Sequence, residues 1–308
     1  MSGLINNKLL FVFMSSIFLY SIYVKVFSKL GQIEREEGLR SHKVKNGTIT
    51  MGGILFLIIP LLFINYSKDN ILLVITLVGF GILGFIDDLL IIIKKKNDGL
   101  SPSIKLVIEI LLAGIIFYYY LSLEKSTVLN LYFFSFDLKW VFGLFILWFL
   151  TASSNAWNLL DGVDGLCSGC SLIIMLGLMY IAIKKLEINV FMFLLILFIV
   201  VYVFWCFNLH KAFLFMGDVG SLSLGAFLCM CSIYLDCIVS FIIMAGLFIF
   251  DTLSVILQVG YYKKTKKRIF KMAPFHHHLE ACGFKEIYID LLFYLIQIGL
   301  VFFGILIS

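Results

Sequence analysis

Charge is scarce in this sequence: Asp, Glu, Lys and Arg make up 14% of its 308 residues, where a soluble domain carries about a quarter. A surface solvated by water alone is thereby excluded. Other absences narrow the field. No G-x-x-x-x-G-K-[ST] occurs, so the phosphate loop of the P-loop ATPases is not supported. Cys167 and Cys170 form a C-x-x-C, yet no second pair or nearby histidine completes a zinc site, and the seven cysteines read as small apolar packing residues. No small-residue cleavage site follows the first apolar stretch, which reads as a retained helix rather than a secretory signal. No internal repeat relates the two halves, and the acids lie at span ends, which argues against a secondary transporter.

What abounds is apolar side chain: 62% of residues are hydrophobic and the mean hydropathy is +1.06. Length alone would allow about two soluble domains. The composition instead predicts an all-α polytopic integral membrane protein with one domain over 1–308, because a helix satisfies its own backbone in lipid. Against a need of about 20 residues per crossing, ten segments qualify: 9–24, 48–67, 70–93, 104–123, 139–159, 166–183, 188–209, 219–235, 237–260 and 288–308.

Ten crossings put both termini on one side. The loops at 25–47, 94–105, 158–165, 208–218 and 261–287 then share the other side and hold 18 of the 24 basic residues. The positive-inside bias assigns those loops to the cytoplasm and both termini to the outside. The +5 net charge describes a basic face near anionic lipid and gives no reason to expect nucleic acid. The run "KKTKKRIFK" reads as part of that anchor, and His42 and His210 as solvated.

The cytoplasmic loops also collect the chemistry. "GFIDDLL" carries Asp87 and Asp88; "NAWNLLDGVDGL" carries Asn155, Asn158, Asp161 and Asp164; "NLHKAFLFMGDVGSLSLG" carries Asn208 and Asp218; "KMAPFHHHLEACGF" carries His276, His277 and His278. The opposite loops show no such density. Five aspartates without sulfur ligands are hard oxygen donors suited to magnesium or manganese, with substrate phosphates completing the shell. Two adjacent acids repel, which suits one of them to act as a base. Gly162, Gly165, Gly217 and Gly220 allow backbone to approach phosphate. They also make a long helix over 155–164 less favourable than a loop. The lysines around 43–45 and the histidines add positive charge. Glu109 and Asp251, inside spans, read as satisfied structural acids. The inventory points to phosphoryl transfer from a nucleotide-linked substrate.

These motifs, in this order from about Gly38 to the C-terminus, resemble the polyprenyl-phosphate N-acetylhexosamine-1-phosphate transferases. "RIFKMAPFHHHLEACGF" resembles the muramoyl-pentapeptide branch rather than the relatives that use UDP-N-acetylglucosamine. The resemblance implies a transferase of the bacterial cytoplasmic (inner) membrane, multi-pass, with its active site on the cytoplasmic face. It would join the phospho-sugar of UDP-N-acetylmuramoyl-pentapeptide to undecaprenyl phosphate with Mg2+, giving lipid I and UMP, and work as a homodimer. It implies Asp218 as metal ligand, Asp87 as base, and Asp88 as its partner in activation or metal holding. It further implies Thr50, Asn158, Asp161 and Gly217 around the nucleoside, Asp164 toward the uracil and Phe215 stacked on it. Lys45 and Asn208 would make phosphate or polar contacts, and the three histidines would serve the sugar–peptide and diphosphate side. A zinc site at the histidines is disfavoured because adjacent side chains diverge. Departures from the pattern stand at Ile49, Ile91, Glu109 and Lys211, where the family usually has Pro, Lys, Gln and Pro. Lys94 or Lys105 is the expected substitute for the basic residue missing at 91.

Overall fold

The structure is a computed structural model that describes residues 2–27, 48–94, 99–131 and 133–308. The described residues are helical apart from loops and one small hairpin. The helices are α1 (Ser2–Val26), α2 (Ile54–Phe63), α3 (Lys68–Lys94), α4 (Pro102–Ser122), α5 (Val141–Leu160) and α6 (Leu166–Lys184). They continue with α7 (Ile188–Asn208), α8 (Gly217–Tyr234), α9 (Ile238–Met244), α10 (Gly246–Thr265), α11 (Phe275–Ala281) and α12 (Glu286–Leu306). Between α4 and α5, β1 (Val128–Leu131) and β2 (Phe134–Asp137) pair antiparallel, with Val128 opposite Asp137.

Each of the ten expected spans is helical, but only seven helices are long and apolar enough to cross a membrane, or eight when the α9–α10 pair counts as one span. Three local causes account for the difference. The second segment gives only ten helical residues, with Pro60 among them. In α5 the second half brings in Thr151, Ser153, Ser154, Asn155 and Asn158, which lowers its hydropathy. In the ninth, α9 and α10 meet at a 67° bend.

Helix α8 is the axis of the bundle. All its residues from Val219 to Tyr234 are buried, and it packs most extensively on α3 and then on α5. Its sequence GDVGSLSLGAFLCMCSIY is rich in Gly, Ser, Ala and Cys, the small residues that let helices approach closely where lipid supplies no hydrophobic drive. The hydroxyls satisfy themselves locally, as when Ser223 donates to the Val219 carbonyl at 2.7 Å. Helices α1 and α4 sit at the rim, with Phe11, Phe18, Leu111 and Tyr118 exposed. Helix α4 starts cleanly because Ser101 accepts the N–H of Ile104 and Pro102 follows at the first position.

The tightest crossing is α3 on α8. A Cβ added at Gly84 would collide with the backbone carbonyl of Asp218 and the amide of Val219. Backbone cannot yield as a side chain does, so Gly84→Val is expected to cost at least about 1–3 kcal/mol. Gly114→Ala, where nothing lies within 4 Å, is expected to be neutral or to gain up to about 1 kcal/mol. Thermal unfolding of both variants in detergent checks the pair.

Candidate active site at the helix ends

The end of α3 carries Asp87 and Asp88, the start of α8 carries Asp218, and both meet the first turns of α4 and the last turn of α5. An α-helix begins with N–H groups that have no partner inside it, and no side chain of α8 caps its own start. Asp88 does so from α3: its carboxylate accepts the N–H of Asp218 at 3.1 Å and of Val219 at 3.0 Å. Charge and dipole agree, since a carboxylate is stabilised at a helix N-terminus. Gly217 makes the approach possible. Its φ is +73°, and a Cβ there would lie 2.5 Å from the Asp88 Oδ2, so both conformation and space require glycine.

With Asp88 so engaged, Asp87 and Asp218 face a common cation. The Lys105 Nζ lies 3.2 Å from the Asp87 Oδ2 and 2.6 Å from the Asp218 Oδ2. Asp87 also accepts the N–H of Leu100. The other oxygen of Asp218 accepts from the Asn158 amide at 2.7 Å, and that amide also reaches the Ser221 Oγ at 3.1 Å. Two carboxylates share one ammonium, with the Asp88 carboxylate close behind, which leaves an excess of negative charge when all three are ionised. One turn back, Asn155 donates to both oxygens of the buried Glu109 at 3.0 and 2.9 Å, so Glu109 is satisfied, as expected. Asn155 and Asn158 both lie on α5, so the 155–164 stretch divides: its first half is helix, and only Asp161 to Gly165 form the turn that the glycines predict.

That turn is braced from two sides. Asn208, at the end of α7, accepts the N–H of Gly165 at 3.0 Å and the Ser168 hydroxyl at 3.1 Å, and donates to the Leu214 carbonyl at 2.9 Å. Its amide therefore ties the turn to the loop before α8. Tyr294 of α12 donates to the Gly165 carbonyl at 2.6 Å. Asp164 is buried and accepts the N–H of Ala212 at 3.0 Å. Its carboxylate also stands 3.9 Å from the His210 Nδ1, which lies 3.7 Å from Glu286, so His210 keeps acidic company rather than water alone. Asp161 is half-buried at the mouth of the turn.

The segments that carry Thr50 and Phe215 meet through backbone. Ile49 and Leu214 form a parallel bridge, Phe215 donates to the Ile49 carbonyl at 2.7 Å, and Gly52 donates to Phe215 at 2.9 Å. The hydroxyl of Tyr23 closes on the Thr50 carbonyl at 3.0 Å. Phe215 is half-buried beside this seam. Ile49, where the resemblance would place proline, is buried in it and uses its carbonyl. Lys45 lies outside the described residues.

The histidines sit on α11, a helical turn rather than a strand, and the rings of His276 and His277 do not diverge as expected: their centroids lie 4.1 Å apart. His276 is buried with its Nδ1 2.8 Å from the Asp251 Oδ2. His277 places its Nδ1 2.6 Å from the Glu280 Oε2. His278 accepts the N–H of Lys271 at 3.1 Å. A Cβ added to Gly162 would stand 2.6 Å from the His276 Nε2 and 2.8 Å from the His277 Nε2, so these two rings reach the Asp161–Gly165 turn. Stacking of Trp157 on Phe248 at 3.7 Å between centroids holds α10, and with it Asp251, against α5.

Two residues of this arrangement carry more than their sequence context suggested. Lys105 had a signal: it stands where a basic loop meets an apolar span, and it is one of the two lysines expected to substitute for the basic residue missing at 91. Asp251 had the signal of an acid inside an apolar span, but its pairing had none, because His276 lies 25 residues away on another helix.

Known proteins resemble this chain over most of its length. The description Glycosyl transferase family 4 matches residues 70–236, which include every aspartate of the carboxylate cluster. The phospho-N-acetylmuramoyl-pentapeptide-transferase of Staphylococcus epidermidis is 42% identical over 272 residues, covering 84% of this chain and 84% of its own. The protein of that name from Geobacillus thermodenitrificans is 37% identical over 284 residues, covering 89% and 87%. That from Bacillus subtilis is 37% identical over 286 residues, covering 89% and 88%. The chain is a multi-pass membrane protein that belongs to glycosyl transferase family 4, alongside these phospho-N-acetylmuramoyl-pentapeptide-transferases.

Proposed function

We propose that the protein transfers phospho-N-acetylmuramoyl-pentapeptide from its UDP-linked donor to undecaprenyl phosphate in the bacterial cytoplasmic membrane, releasing UMP and leaving lipid I. The observation that carries this reading is the seating of one lysine between Asp87 and Asp218 at converging helix ends, in a chain 42% identical to a transferase of that name. The full reading has ten crossings, adding α2, α5 and the bent α9–α10 pair to the seven longer spans, with both termini outside. The carboxylates then face the cytoplasm, where the nucleotide donor is, and two copies associate as a homodimer.

Phosphoryl transfer asks the protein mainly to position and to neutralise. An oxygen of the lipid phosphate attacks the sugar-linked phosphorus of the donor; the bond from that phosphorus to the bridging oxygen breaks, and UMP leaves with the oxygen. Asp87 stands as base for a proton on the attacking phosphate, with Lys105 offsetting charge on the anions brought together. Asn158 orients Asp218, and Asp88 holds the start of α8 in place. The donor set fits Mg2+: hard oxygen ligands without sulfur, and a site that already stabilises a cation between two carboxylates. Asp218 would hold the ion, which when bound would supply charge neutralisation at the diphosphate oxygens. The nucleoside lies by the Asp161–Gly165 turn, with Asp164, Phe215 and Thr50 around it, and the sugar–peptide lies toward the histidines. The rings of His276 and His277 on that turn favour the pentapeptide donor over UDP-N-acetylglucosamine.

Purified protein in detergent, given undecaprenyl phosphate and Mg2+, is expected to release UMP from UDP-N-acetylmuramoyl-pentapeptide and not from UDP-N-acetylglucosamine. Asp218→Asn is expected to lower kcat by about a hundredfold or more. Release from the N-acetylglucosamine donor alone would move the protein to the sister activity. Chelation with EDTA is expected to abolish release and Mg2+ to restore it, with the larger, more loosely coordinating Ca2+ restoring less. Lys105→Met is expected to reduce kcat by about tenfold to a hundredfold while the protein still elutes as a folded species; undiminished turnover would remove Lys105 from the chemistry.

A further inference from the structure

Both His276 and Asp251 are fully buried, on different helices. The carboxylate receives two contacts from one residue: the backbone N–H of His276 donates to Oδ1 at 3.2 Å, and the ring Nδ1 lies 2.8 Å from Oδ2. An ionised carboxylate offers only acceptors, so the ring meets it as a donor, with the proton on Nδ1. Nε2 is then the nitrogen with the lone pair. It is buried and has no hydrogen-bond partner in the fold, although buried polar atoms ordinarily have one. It faces Gly162, where an added Cβ would stand 2.6 Å away, so a residue with a side chain at 162 would block it.

We propose that Asp251 is a positioning residue, and that the Asp251–His276 pair presents Nε2 at the Gly162 turn as an acceptor for an O–H or N–H group of the sugar–peptide part of the donor. The carboxylate fixes ring orientation and tautomer together, because one residue supplies both contacts. His277 repeats the pattern less deeply, with Glu280 on its Nδ1 and its Nε2 at the same glycine. The kinetic part of this proposal rests on the transferase reading; the tautomer does not.

The test uses full-length protein in detergent, labelled with 15N in the histidine rings, together with steady-state UMP release. Wild type is expected to show a buried ring carrying its proton on Nδ1. In Asp251→Asn the single side-chain oxygen is taken by the backbone N–H of His276, so the amide NH2 faces the ring and moves the proton to Nε2. That variant is expected to show the Nε2–H signature and a kcat/KM for UDP-N-acetylmuramoyl-pentapeptide lower by about tenfold to a hundredfold. The KM for undecaprenyl phosphate is expected not to move. Asp251→Glu keeps two oxygens and is expected to recover most of the loss with the wild-type tautomer, which also covers the case in which Asp251→Asn does not fold. A wild-type ring protonated on Nε2, or an Asp251→Asn enzyme within about twofold of wild-type kcat/KM, would overturn the proposal. So would an Asp251→Asn variant that is only less heat-stable, with its tautomer unchanged. Wild type that shows the Nδ1–H ring yet releases no UMP would refute the transferase reading and the proposed donor contact, while the dyad itself stands.

Discussion

The capping of α8 by Asp88 is the interaction on which the rest of the site depends. A buried helix start needs acceptors for its first N–H groups, and α8 obtains two of them from a helix that crosses it with a glycine at the contact. Local geometry, charge and packing point the same way: the carboxylate suits the dipole, Gly217 admits it, and Gly84 lets the backbones close. Because Asp88 is held, its neighbour Asp87 is held too, and Asp218 is set on the first turn opposite. Two adjacent acids of identical chemistry thereby take up different environments.

Around that axis the loops are tied to one another rather than to solvent. Asn208 joins the Asp161–Gly165 turn to the segment before α8, and that segment joins the strand-like run at Ile49–Gly53. Each tie uses backbone groups that, buried without a partner, would cost about 1–3 kcal/mol each. Rigidity of the site and satisfaction of the backbone are met by the same bonds. Aromatic stacking of Trp157 on Phe248 extends this to the helices that carry Asp251.

Much of this was legible in the residues. The helical stretches of the ten expected spans follow from apolar runs, and the grouping of Asp87, Asp88, Asp218 and Asn158 follows from their places at span ends. The number of long spans was not, because Pro60 and the bend between α9 and α10 shorten helices without changing apolar composition. Nor were the separate parts played by Asp87 and Asp88, which adjacency in sequence makes look equivalent. The acceptors of α8 are a tertiary fact, invisible to periodicity. The histidines, read from sequence as a source of positive charge for phosphate, have carboxylates on Nδ1 of His276 and His277, and this turns a question of charge into one of tautomer.

The hairpin at the far end of the bundle has a consequence for depth. Phe133 and Trp140 are 82% and 80% exposed, with Phe134 and Phe136 beside them, and amphipathic or aromatic rings settle at the headgroup level. The hairpin therefore works as a float. From its end of α4 back to Lys105 the helix runs about 25 Å at 1.5 Å per residue, close to the thickness of the hydrocarbon layer. Against a hydrocarbon layer of about 30 Å, an α4 moored among headgroups at one end sets the lysine and its two aspartates near the opposite edge of that layer, inside the level of the phosphates. On the proposed function, a phosphorylated lipid entering from the side brings only its headgroup inward to meet them.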